Sequence, residues 1–168
     1  MMTTHEQLMC ELQADVFEKS LNIFNCSSSF FISKFMYSDI AKQLDDIDNP
    51  YNYLSLESIL LSLERQYPSL NKSGEEKYTS QVLRWLGYIY RAWAILKHHK
   101  TSYIYKYMKA DKMVGLYDSF HTFGVEYCVD RLEELLQENN PHFLNDDEVY
   151  SLFKKMRLEE WKKRGIIK

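Results

Sequence analysis

From Thr3 to Phe24 apolar side chains recur at Leu8, Leu12, Val16, Phe17, Leu21 and Phe24, the three-and-four spacing that buries one face of a helix. Thr3 or Thr4 can cap this helix, with Glu6 or Gln7 reaching back as in a capping box. Ser27 to Ser29 break and recap the chain, and Phe31, Phe35, Ile40 and Leu44 carry the stripe through a second helix, which "DDIDNPYN" ends. Ser55 caps a third, with Leu56, Ile59, Leu60 and Leu63 inward and Pro68 closing it. Residues 69–76 are polar and contain Gly74, which predicts a flexible loop.

The longest periodic run spans about residues 76–97. Val82, Leu86, Ile89, Trp93 and Leu96 form one stripe, with Trp85, Tyr88, Ala92 and Ile95 beside it. An apolar arc that wide belongs to a central helix flanked on more than one side. "SYIYKYMK" alternates tyrosines as a strand would, yet Ile104 and Met108 sit four apart and no partner strand is visible, so it reads as a short helix. Asp111 is placed to cap the next, to Phe120. Val125, Cys128, Val129, Leu132 and Leu136 define an amphipathic helix. Asn145 and Glu148 suggest a capping box for a last helix through Val149, Leu152, Phe153, Met156 and Trp161. The expected fold is all-α: a single domain over residues 1–168, a bundle of about seven or eight short helices around the central one.

Composition changes this picture mainly through charge and rings. The chain has 168 residues, enough for one domain with a real core, and a net charge of -3. Residues 1–76 carry a net of -7 and residues 77–168 a net of +4. Such asymmetry either pairs two halves of one molecule or shows a sign to a partner. Thirteen tyrosines suit positions where the ring is buried and the hydroxyl stays wet. Three scattered cysteines give no disulfide framework or zinc spacing, and with no signal-like start and no apolar run long enough to cross a bilayer the expected location is the cytoplasm.

Among candidate chemistries, Arg91 and His98 are seven residues apart on one helix, within about 20° of a common face and roughly 10 Å apart. An arginine to hold a phosphate and a histidine to move a proton suit RNA cleavage. The Arg, six residues, His pattern also matches the loose signature of HEPN-type helical ribonucleases, although Ala92 stands where that family often has a polar residue. A helix-turn-helix across "SYIYKYMKADKMVGLYDSF" would put Lys106, Lys109 and Lys112 near its junction, but Met113, Val114 and Leu116 in its leading turns, which read no bases. That leaves a DNA-binding autoregulator as a further alternative. The sequence points to no metal site and no cofactor: "DDIDNPYN" lacks the closing acid of an EF-hand, and no glycine-rich phosphate loop is present.

The runs "LGYIYRAW", "SYIYKYM" and "LYDSFHTFGVEYCVDRL", with the earlier "SDIAKQLDDIDNPYNYLS", carry a resemblance. Their pattern of Tyr-Arg-x-Trp, Ile-Tyr-Lys and Tyr-x-x-Phe-His-Thr resembles a group of small Firmicutes proteins over about residues 37–135. "AILKHHKT" departs from the glycine- or serine-rich linker of that group. The resemblance implies a cytoplasmic, non-enzymatic antitoxin-like protein that binds and neutralises a partner toxin, commonly one resembling ADP-ribosyltransferases, and it carries over no catalytic residue. Interfaces favour Tyr, Trp, Arg and Met around a desolvated centre. The expected contact surface is therefore Tyr88 and Arg91 on the edge of the long helix, Tyr117, Phe120 and His121 beside them, and Tyr103 and Tyr105 adjoining.

Overall fold

A computed structural model describes residues 1–49, 54–72, 74–141 and 146–165. In chain order the helices are α1 (Thr4–Ile23), α2 (Ser28–Met36), α3 (Asp39–Asp45), α4 (Leu56–Gln66), α5 (Ser80–Leu96), α6 (Thr101–Tyr107), α7 (Ala110–Phe120), α8 (Val125–Asn139) and α9 (Asp146–Lys163). A short 3-10 turn covers Pro68–Asn71, and no strand occurs among the described residues. The protein is all-α, with one helix more than the pattern predicts.

The extra helix comes from Ser38. Its hydroxyl donates to the Phe35 carbonyl at 2.6 Å and accepts from the Ala41 N–H at 3.1 Å, so it ends one helix and caps the next. The predicted second helix thus bends in the middle while its apolar stripe continues. Elsewhere the local signals act as expected. Thr3 and Glu6 form a reciprocal capping box, and Ser55 caps α4. The central helix starts later than predicted, at Ser80 behind the cap Thr79. The residues before it are held elsewhere: the Tyr78 N–H donates to the Ser28 hydroxyl and the Lys77 ammonium to the Phe24 carbonyl. Asp111 is not a cap; Lys109 holds that position, and Asp111 accepts from the Tyr78 hydroxyl at 2.8 Å. Within the predicted loop 69–76, Leu70 is buried and the Glu76 carbonyl accepts from Ser28 N–H at 2.9 Å. Ser73, Pro50 to Tyr53 and the Asn145 half of the predicted capping box lie outside the described residues.

α5 is central, as its wide apolar arc requires. It makes the most extensive helix pair in the fold with α1 and also packs on α6, α7 and α8. Gly87 sets the α1–α5 spacing: a Cβ there would come within 2.7 Å of the Gln13 carbonyl oxygen and 2.8 Å of Ala14 Cα. The α1–α2 side of the core is a phenylalanine cluster in which Phe17 meets Phe31 and Phe35 edge to face at 5.6 and 5.0 Å. Such ring pairs contribute about 0.5–1.5 kcal/mol beyond their burial. The two oppositely charged halves pair within the molecule. Arg84 on α5 is met by Glu11, Asp15 and Glu18, which share a face of α1, and Arg91 is met by Asp45.

Candidate functional site

Arg91, expected on the edge of the buried arc, is 0% exposed. Its Nε donates to Gln13 Oε1 at 2.9 Å and one terminal nitrogen to Asp45 at 2.7 Å. Gln13 in turn donates to the Gly87 carbonyl at 3.0 Å, so one α1 amide ties two successive turns of α5. Burial disfavours the charge, lowering the guanidinium's pKa, while Asp45 opposes that shift. Asp45 also accepts from both the N–H and the hydroxyl of Thr101, which fixes the start of α6. Arg91 is therefore a core group joining α1, α3 and α5. Neither a phosphate nor a partner side chain reaches it in this arrangement, which corrects its expected place in the contact surface.

His98 has a different task. It adopts φ 52°, the left-handed conformation that normally belongs to glycine at a helix end. Its N–H donates to Ile95 and that of His99 to Ala94, the paired bonds of a Schellman ending. His98 thus terminates α5 and is exposed, whereas Arg91 is enclosed. His99, by contrast, is buried; its Nε2 lies 2.9 Å from Glu133, which also accepts from the Trp93 indole N–H. This pins the end of α5 to α8.

The expected contact tyrosines separate into two groups. Tyr105 is only 3% exposed; its ring stands 5.7 Å from Tyr37 and 6.0 Å from Tyr90, and the Lys109 ammonium covers it at 4.6 Å. Tyr103 is half-buried beside Tyr107 and His99. Both therefore lie in a region apart from the remaining four.

Tyr117, Phe120 and His121 lie at the end of α7, beside the turn into α8, while Tyr88 is a half-buried residue of α5. Trp85, on the same side of α5 as Tyr88, meets Tyr117 edge to face at 5.5 Å, and Tyr117 stacks on His121 at 4.5 Å. Phe120 meets Phe123 at 5.7 Å, and Phe123 meets Tyr127 at 5.1 Å. Phe123 and Tyr127 are 44% and 55% exposed. Sequence reasoning missed both. Phe123 lies in the turn between helices, where no periodicity assigns a face, and Tyr127 occupies the outer face of α8. An aromatic residue on the polar face of an amphipathic helix was the available signal.

These rings offer apolar surface and hydrogen-bonding tips; among the described residues, no cysteine, serine or carboxylate is hydrogen-bonded to His121, whose Nδ1 meets the Tyr117 carbonyl. Cys10 and Cys128 are buried, and burial pushes their thiols up to about 12 and about 11, so they stay protonated and unreactive at neutral pH. An open groove of about 610 Å³ lies between α6–α7 and the end of α8. Among the described residues Met108, Lys112, Leu116, Leu135 and Asn140 line it, with no acid–base pair. Among the described residues no group of three or more His, Cys, Asp or Glu is placed to hold a metal, and no helix is long and apolar enough to cross a membrane. No family model, curated protein or solved structure matches the sequence.

Proposed function

We propose that this chain is a non-enzymatic, antitoxin-like binding protein of the bacterial cytoplasm that meets and neutralises a partner toxin through the α7–α8 aromatic strip. The observation that carries the reading is two runs of ring contacts at this corner, Trp85–Tyr117–His121 and Phe120–Phe123–Tyr127, in which His121, Phe123 and Tyr127 are exposed. Rings that brace one another at a surface are already ordered, so a partner that covers them meets apolar area at little conformational cost. The sequence resemblance to antitoxin-like proteins supports the same reading.

The ribonuclease alternative draws no support from Arg91, whose guanidinium is enclosed by Gln13 and Asp45. The DNA-binding alternative draws little from α6–α7, where Met113 is buried and Lys109 lies over Tyr37 and Tyr105. Co-expression with the product of the adjacent gene tests the proposal. A copurifying complex and relief of growth arrest are expected. A harmless neighbour that never copurifies, or RNA degradation by this chain alone that is lost in His98→Ala, would overturn it.

A further inference from the structure

We infer that the aromatic strip recognises a cationic, arginine-presenting segment of its partner. The inference rests on the proposed reading of the strip as an interface and adds the chemistry of what covers it. From Met113 to Asp130 the chain has no lysine or arginine, while it has Asp118, Glu126 and Asp130. Asp130 is bound by Lys97 at 2.7 Å, whereas Asp118 on α7 and Glu126 in the first turn of α8 are exposed. Glu126 faces the Met1 ammonium at 3.8 Å. Arg84, a turn before Tyr88 on α5, is already met by three α1 carboxylates, so it does not offset this field.

The rings add to the same preference. Aromatic faces attract cations, arginine most often, and more strongly once water is excluded. Three of the chain's own lysines lie over rings: Lys34 over Phe30 and Tyr67, Lys106 over Tyr107, and Lys109 over Tyr37 and Tyr105. Among the described residues, no lysine or arginine stands over a ring of the strip. His121 contributes an acceptor. Its Nδ1 is 2.8 Å from the Tyr117 carbonyl, which can only accept, so Nδ1 donates and, in the neutral ring, Nε2 is the acceptor. Exposed rings and carboxylates with an imidazole acceptor together fit a planar guanidinium with several donors.

Hexa-arginine, hexa-lysine and hexa-glutamate peptides titrated into the full chain, followed by calorimetry and by amide NMR shifts, test this. Hexa-arginine should bind more tightly than hexa-lysine, hexa-glutamate should not bind, and the shifts should centre on residues 117–127. Phe123→Ser with Tyr127→Ser should weaken hexa-arginine by about tenfold or more. Asp118→Asn with Glu126→Gln should weaken it and flatten its salt dependence. Both pairs are at exposed positions, so circular dichroism should stay native. Binding of hexa-glutamate, shifts confined to Glu11, Asp15 and Glu18, or unchanged binding by the strip variants would overturn the inference. So would a dimer dispersed by Phe123→Ser with Tyr127→Ser, since a second copy would then be the occupant. Partner capture lost in that variant, yet indifferent to Asp118→Asn with Glu126→Gln and to competing hexa-arginine, would keep the interface and overturn the cation. Partner capture that survives Phe123→Ser with Tyr127→Ser removes the interface, and the inference with it.

Discussion

Asp45 serves both the buried Arg91 guanidinium and the first turn of α6, so truncating it strands a charge in the core. Breaking a buried pair in this way costs about 3–5 kcal/mol. Arg91→Met should cost less, because Asp45 keeps its bonds to Thr101 and the methionine fills much of the same volume. Urea denaturation of Asp45→Ala and Arg91→Met should therefore rank the aspartate variant as the weaker. The reverse order would mean that the guanidinium matters for more than its pairing. His98 gives a second test. A left-handed conformation costs an L-residue about 1–2 kcal/mol, and glycine's extra freedom in the unfolded chain returns about half of that. His98→Gly should raise stability by about 0.5–1 kcal/mol, and His98→Val should lower it, by the same denaturation measurement. Neither role was visible locally: the groups that bury Arg91 lie 46 and 78 positions away in the chain, and an exposed helix-end histidine looks alike whether it caps or reacts.

Between elements, the contact of α1 with α5 depends on Gly87. Gly87→Ala gains about 1 kcal/mol of helix propensity, yet its methyl would meet backbone atoms of Gln13 and Ala14, which no rotamer change can move. Overpacking of this kind costs about 1–3 kcal/mol, so a net loss is expected in thermal unfolding despite the better helix former. At the same interface Glu18 accepts from the Ser80 hydroxyl and from Arg84, which hold its carboxyl below the ordinary value of 4.5. A depressed carboxylate pKa stabilises the fold fully above the unfolded value, and that contribution is lost as pH falls through the folded one. Stability should be flat with respect to this group at neutral pH and fall below about pH 4.5, and Glu18→Gln should shrink that acid-side slope in pH-dependent melting. The network is partly exposed, so each pair contributes only about 0–1 kcal/mol. Helix identities were readable from period and caps, as with Thr3–Glu6 and Ser55. The break at Ser38 was not, because an apolar stripe that continues across a bend looks the same as one that runs straight.

For the whole molecule, α5 is enclosed by neighbours, and exposed rings at the α7–α8 corner include Phe123 and Tyr127. Tyr117, Phe120 and His121 stand together in the sequence, while the contacts of Phe123 with Phe120 and Tyr127 depend on the turn into α8. Tyr105 was misplaced for the converse reason, since Lys109 and Tyr37 cover it from elements that sequence spacing cannot dock. Calorimetric titration of the adjacent gene's product against the native chain and Phe123→Ser with Tyr127→Ser is the most direct test. Two aromatic anchors at about 2 kcal/mol each predict a loss of affinity of about a thousandfold at an unchanged melting temperature. Equal affinity for both forms, with the fold intact, would contradict the account.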